Sequence, residues 1–359
     1  MSKKIIFFLL TVILALAGCT NEQAQPKTTT TTSKTEAKTV NVSNETLPKD
    51  LEVALVMQMS IGTFSSQYIE GVTEQVEAFG GNVKVYNAEN DLSKMASYVN
   101  TATTQGVDVI LIDHGRADAL KEPVQRALDK GIKVVAFDND LTNEGVTVID
   151  QDDYSLAWRS LKALAEGLDG EGNIVTIWVG GFTPMERRHT IYDAFLKRYP
   201  GIQEVAKFGS ATNNTALDTQ SQMEAILKKY PEGEIDAVFA MWDEFAKGAS
   251  RAIKQAGRDE IAVYGIDLSD EDLQLMQEEG SPWGVTAATD PAEIGRIQVR
   301  YAYQKVVGEE TPSIHSVDPY LVDRDALPDE PVTMEDLGQY VPGWGESNAA
   351  WSDWMKETN

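Results

Sequence analysis

Carboxylates, amides and aromatic rings recur in this 359-residue sequence directly after short apolar runs. Residues 59–64, ending in Phe64, follow the first run, and Asp138-Asn139-Asp140 follows Val134-Val135-Ala136-Phe137. Farther along, residues 180–184 and 210–214, then Trp242-Asp243-Glu244, Asp267 and Thr289-Asp290, occupy equivalent places. A carboxylate oxygen accepts from two hydroxyls, an amide both donates and accepts, and an aromatic face covers apolar CH groups. That combination suits an uncharged polyol. Arg187 and Arg188 add a fixed fork of donors. Being adjacent on a helix they point about 100° apart, so at most one faces a common site, and the register favours Arg188. The competing role for Asp138, Asp243 and Asp267 is capping of the helices that follow them.

The elements that position these residues alternate in type. Apolar runs of strand length at 51–58, 82–87, 108–113, 132–137 and 146–149 are separated by helical spacing at 65–79, 92–105 and 117–130. The rhythm restarts with strands at 173–179, 204–208, 235–241, 261–266 and 283–288, and helices near 184–199, 215–230, 244–257 and 270–279. Near-continuous apolar strands between helices predict parallel sheets covered on both faces. Two such series predict an α/β chain of two similar doubly wound lobes. Ligands of open parallel sheets bind outside the carboxyl ends of the strands, where the residues named above stand.

Six segments in this order carry a family resemblance: the loop ending in Phe64; Val134-Val135-Ala136-Phe137-Asp138; Pro184-Met185-Glu186-Arg187-Arg188 with Phe195 and Tyr199-Pro200-Gly201; Trp242-Asp243-Glu244 leading into Gly248-Ala249; Val263-Tyr264-Gly265-Ile266-Asp267; and Asp290-Pro291-Ala292-Glu293-Ile294-Gly295. From about 51 to 322 the chain resembles the type I periplasmic binding proteins of the ribose and galactose class, the soluble receptors of ABC sugar importers. The resemblance implies two lobes joined by a hinge of three crossovers near 150, 289 and 317. It divides the chain into a first lobe of 50–150 plus 290–317 and a second of 151–289 plus 318–359.

The same resemblance makes Phe64 a stacking residue, Asp138 a hydroxyl acceptor, Arg188 the cationic donor and Asp267 an acceptor from the second lobe. Trp242 stands where many relatives have Asn, and Thr289 where some have Gln. Asn139 and Asp243 complete the ligand-binding set. The expected ligand is a neutral sugar or polyol, the expected partner an ABC permease, and no cofactor or metal is implied. The alternative is a sugar or furanosyl-signal sensor that presents its closed form to a histidine kinase or chemoreceptor. A monomer is expected. The tryptophans at 344, 351 and 354 lie in a carboxyl-terminal extension expected to pack on the second lobe.

Lys3 and Lys4, the apolar run 5–15 and Leu16-Ala17-Gly18-Cys19 read as a secretory signal, too short for a transmembrane helix. The tetrapeptide resembles the lipobox of bacterial lipoproteins, so Cys19, the single cysteine, is expected to be acylated after removal of 1–18. At roughly 0.8 kcal/mol per buried methylene, two acyl chains anchor a domain without spanning the membrane. Residues 19–49 are polar, with an unbroken Thr run at 28–32, and read as a disordered tether. A formal charge of -25 disfavours nucleic acid and anionic lipid as partners.

Enzyme chemistry has little support. No G-x-G-x-x-G follows the first strand, and neither a P-loop nor a G-x-S-x-G elbow is present. His114, His189 and His315 lie in unrelated contexts without metal-ligand spacing, and a lone cysteine excludes disulfides and thiolate zinc clusters.

Overall fold

The structure, a computed structural model, describes residues 47–345 and 348–358. Cys19, the signal and nearly all of the tether lie outside the described residues. The chain runs β1 (Glu52–Met57), α1 (Gly62–Ala78), β2 (Asn82–Asn87), α2 (Leu92–Gln105), β3 (Val109–Asp113), α3 (Ala117–Asp129), β4 (Lys133–Phe137) and β5 (Thr147–Asp150). It then continues as α4 (Asp153–Gly167), β6 (Glu171–Ile177), α5 (Thr183–Arg198), β7 (Gly201–Phe208), α6 (Thr215–Lys229), β8 (Ala237–Ala240), α7 (Asp243–Ala256), β9 (Ala262–Ile266), α8 (Asp270–Gln277) and β10 (Trp283–Ala288). Last come α9 (Pro291–Val307), β11 (Ile314–Ser316) and β12 (Tyr320–Asp323).

Two six-stranded sheets result, ordered β11-β5-β4-β3-β1-β2 and β12-β10-β9-β8-β6-β7. Every pairing is parallel except β10 with β12. Strands β3 and β8 are buried along their whole length, because helices cover both faces of each sheet. The chain passes between lobes after β5, between β10 and α9, and between β11 and β12. Helix α9 thus returns to the first lobe and packs against α1. Gly71 and Gly295 permit that close crossing: a Cβ on Gly71 would stand 2.0 Å from the Ala292 carbonyl oxygen, and one on Gly295 2.6 Å from that of Tyr68.

Capping is done by Asp91 on α2, Asp152 on α4 and Asp290 on α9, each accepting from backbone N–H groups of the first turn. Asp138 and Asp267 cap nothing, and α7, which begins at Asp243, has Trp242 at its N-cap with no side-chain bond. The capping alternative therefore describes Asp290 and not the three candidates.

The carboxyl-terminal extension differs from expectation. Leu337, Val341 and Trp344 are buried in the second lobe, with the Trp344 indole N–H donating to the Met334 carbonyl at 3.1 Å. Trp351, Trp354 and Met355 instead belong to the first-lobe core with Phe79, Tyr301 and Tyr303. The Trp351 ring lies edge-on to Phe79, and the Arg300 guanidinium sits 4.2 Å from its centroid. The placement of all of 318–359 with the second lobe is thereby corrected. The groove between α1 and α9 offers an aromatic floor and a buried cation, a better seat for an indole than a solvated surface.

Candidate functional site

Between the carboxyl ends of the two sheets lies a cavity walled by both lobes. The first lobe contributes Met57 at the end of β1, Met59, Ile61 and Phe64 from the loop into α1, Asp113 and His114 at the end of β3, and Gln151 from the first crossover. The second contributes Phe182, Met185 and Arg188 from α5 and its approach, Trp242 after β8 and Asp267 after β9.

The residues just past β3, β4 and β9 share an unusual backbone. His114, Asp138 and Asp267 have φ of 60°, 46° and 73°, the left-handed region that non-glycine residues seldom adopt. This turn breaks the alternation of the strand, so the side chains at these positions are aimed by the turn rather than by the pleat.

Arg188 is 1% exposed, and four of its five N–H donors are engaged within the protein, which leaves one on Nη2. Its Nε donates to Asp153 Oδ1 at 2.8 Å, Nη1 to the Met241 carbonyl and to Asp267 Oδ2 at 2.8 Å each, and Nη2 to Asp267 Oδ1 at 2.9 Å. Burial opposes its charge, but the Asp267 and Asp153 carboxylates outweigh that and hold its pKa above the ordinary arginine value. Burial raises the pKa of Asp267, with Arg188 acting against the rise.

Asp138 is wholly buried at the same end of the site. Its Oδ2 accepts from Gln151 Nε2 at 2.9 Å, whereas Oδ1 has no hydrogen-bond partner among the described residues and stands 3.8 Å from Arg187 Nη1. Burial first and the Asp153 charge second push the Asp138 carboxyl well above the usual range. Thr289 lies behind this pair and donates to Gln151 Oε1 at 2.9 Å, which orients the amide so that its N–H faces Asp138.

Of the eight predicted ligand residues, Phe64, Arg188, Trp242 and Asp267 line the cavity, and Asp138 adjoins it through Gln151. Three do not line it. Thr289 is buried behind Gln151. Asn139 ties two loops together, donating to the His114 carbonyl past β3 and accepting from the Leu141 N–H of its own loop. Asp243 faces the buried Lys247 ammonium at 3.5 Å, inside a cluster with Glu244, Glu271 and Asp272. Each of the three is short, polar and placed just after a strand or beside a residue that reaches the site, and sequence position does not reveal which way it turns.

Sequence reasoning missed Met57, Gln151 and the Asp113-His114 pair, and it left Met59, Phe182 and Met185 out of the ligand set although the strand-end segments 59–64 and 180–184 and the motif 184–188 contain them. The signal for the pair was available: His114 directly follows a strand, the same criterion that selected Asp138 and Asp267.

The lobes meet over the cleft. Gln67 Nε2 donates to Asp270 Oδ2 at 2.7 Å, Thr63 Oγ1 to Glu271 Oε2 at 3.0 Å, and Arg187 Nη2 to the Asn139 carbonyl at 3.3 Å. Gly62 matters here, since a Cβ on it would stand 2.2 Å from Glu244 Oε1 of the opposite lobe. Among the described residues no group of His, Cys, Asp or Glu is arranged to hold a metal ion, and no helix is long and apolar enough to cross a membrane.

Residues 53–310 match the periplasmic binding protein domain family. A solved 5-methylthioribose transporter solute-binding protein from Thermotoga lettingae TMO, in complex with 5-methylthioribose, is 41% identical, covers 87% of this chain and 99% of its own, and superposes with a TM-score of 0.83. A sugar ABC transporter structure from Yersinia enterocolitica subsp. enterocolitica is 35% identical over 87% of this chain and 95% of its own, with a TM-score of 0.84. The xylitol-binding protein of Mycolicibacterium smegmatis is 30% identical over 220 residues, 60% of this chain; the match spans 62% of that protein's length. These relatives are binding proteins, those of transport systems among them, and not enzymes.

Proposed function

The chain belongs to the periplasmic binding protein domain family, and from that premise we propose that it is a lipid-anchored extracytoplasmic receptor that captures a monosaccharide or sugar alcohol between its lobes and delivers it to an ABC permease. Cys19 is the anchor in this reading, and the polar stretch after it is the tether that lets the lobes reach the permease.

One observation supports the capture step above the others. Arg188 and Asp267 from the second lobe, and Phe64 with the Asp138–Gln151 pair from the first, converge on one inter-lobe space. A ligand touching both walls favours closure through its differential affinity for the closed form. Asp267 and Asp138 accept sugar hydroxyls, Arg188 donates, and Phe64 and Trp242 cover the ring from opposite lobes. Thr289, Asn139 and Asp243 position the wall from behind.

The cavity is also more apolar than a plain polyol requires. Met57, Met59, Ile61 and Phe64 on one side face Phe182 and Met185 on the other. Sulfur and ring surfaces of this kind suit a sugar with an apolar substituent, and the 5-methylthioribose held by the Thermotoga lettingae relative has that character.

A thermal-shift panel of pentoses, hexoses, sugar alcohols and 5-methylthioribose tests the reading, because a ligand of the folded form alone adds RT ln(1 + [L]/Kd) to stability. At least one compound raises Tm, and Asp138→Ala abolishes the rise. A flat response across the panel refutes the reading.

A further inference from the structure

We infer that His114 is a specificity-determining residue of the cleft: its ring, oriented by Asp113, donates from Nε2 to an oxygen of the bound sugar. The inference rests on the sugar-binding reading above and adds to it a residue outside the predicted set.

The geometry begins with the turn that carries the ring. His114 holds a left-handed backbone at φ 60°, and Gly115 follows at φ 82°. This costly conformation is fixed from several sides. The His114 N–H donates to the Phe137 carbonyl at 2.9 Å, its carbonyl accepts from the Asn139 amide, and the Gly115 N–H donates to Gln58 Oε1 at 2.8 Å. Gln58 is held in turn by donating to Asn90 Oδ1 at 2.7 Å. Strained backbone that its surroundings over-determine is characteristic of binding and switch sites.

The ring is then oriented within the cavity wall. Asp113, 4% exposed, meets His114 Nδ1 through Oδ1 at 2.8 Å, and the ring stands edge-on to Phe137 with centroids 5.7 Å apart. With Nδ1 so engaged, Nε2 is the ring atom left for a ligand, and among the described residues it has no hydrogen-bond partner. Both Asp113 and His114 line the cavity across from Arg188 and Asp267. A carboxylate on one ring nitrogen fixes the tautomer and direction of the other.

The electrostatics agree with a donor. Burial pulls the His114 pKa down, but the adjoining Asp113 carboxylate, with Asp138 and Asp153 beyond it, more than offsets that and raises it to about 9. The charged groups around the ring are Asp113 on β3, Asp138 after β4, Asp153 on α4, Arg187 and Arg188 on α5, and Asp267 after β9. The acidic members outnumber the two arginines. At neutral pH the ring is therefore an imidazolium that presents a charged N–H to a neutral ligand's oxygen.

Isothermal titration of the protein with 5-methylthioribose and with D-ribose, from pH 6 to 10, tests this. The variant is His114→Asn, since asparagine tolerates left-handed backbone and a retained unliganded Tm shows that the turn survives. Wild-type affinity for at least one probe stays level to about pH 8 and falls at least tenfold by pH 10, where the sugar itself does not titrate. His114→Asn binds at least tenfold more weakly at pH 7, with a flat profile. Asp113→Asn, which removes the partner of Nδ1, shifts the wild-type fall to lower pH. Affinity of His114→Asn within twofold of wild type, or a wild-type profile that does not bend before pH 10, overturns the inference while leaving the sugar reading intact. Failure of wild type to bind either probe or any panel sugar overturns both.

Discussion

Arg188 and Asp267 meet in a two-point fork on the cavity wall, Nη1 to Oδ2 at 2.8 Å and Nη2 to Oδ1 at 2.9 Å. Only a planar guanidinium makes both bonds while a third nitrogen, Nε, holds Asp153. Arg188→Lys keeps the charge and loses the fork, which leaves buried carboxylate oxygens unpaired. Removing one partner of a buried ion pair costs roughly 3–5 kcal/mol, and the lysine variant should lose a sizeable part of that. Urea denaturation measures the loss. Sugar binding, read by titration, should weaken at least tenfold, and a variant with wild-type stability and affinity would show the fork to be incidental.

Thr289 reaches the site only through Gln151, so its removal is expected to act at one remove. Thr289→Val preserves shape and deletes the donor to Gln151 Oε1, leaving a buried acceptor unsatisfied at a cost of about 1–3 kcal/mol. Ligand affinity should fall severalfold because the amide facing Asp138 is freed to rotate. Equal affinity together with reduced stability would make Thr289 a purely structural residue.

Trp351 belongs to the far end of the chain yet packs on the first lobe beneath Arg300. Trp351→Ala removes a ring contact with Phe79 and the cation–π contact, and leaves the Arg300 guanidinium with only Gln75, Glu293 and the Ala349 carbonyl. Large aromatic truncations in cores cost about 3–5 kcal/mol, and this half-buried ring should cost about 2–4. Hydrogen exchange should localise the loosening to α1 and α9 and not to the second lobe. Uniform protection across both lobes would exclude the placement described.

His114 also sets a direction for stability against pH. Its folded pKa of about 9 lies above the ordinary histidine value of 6.5, so the folded state holds the proton more tightly than the unfolded chain. The resulting stabilisation is complete below about pH 6.5 and is lost as pH rises through about 9. The stability difference between wild type and His114→Asn, followed by chemical denaturation without ligand, should therefore shrink from pH 6 to 10. A difference that grows or stays constant would place the proton elsewhere.

Much of the site was legible because strand ends are legible. Apolar runs such as 134–137 and 263–266 mark where a parallel sheet stops, and the polar residue next in sequence stands at the carboxyl edge that faces the cleft. Arg188 was separable from Arg187 by helical register alone, and the structure has Arg188 on the cavity wall while Arg187 spans from Asp153 to the Asn139 carbonyl. Thr289, Asn139 and Asp243 turn away from the cavity for a common reason. Their direction depends on contacts with Gln151, His114 and Lys247, and for Thr289 that partner is 138 residues away in sequence.

What the sequence by itself determined is the alternation of strand and helix, its division into two series, and the type of chemistry at the strand ends, because these follow from local periodicity and residue type. Tertiary structure alone decided which strand-end side chains face the cavity, that His114 stands among them, and that the tail returns to the first lobe. A left-handed turn after a strand uncouples side-chain direction from the pleat, and a groove between α1 and α9 exists only once residues more than 200 positions apart have packed.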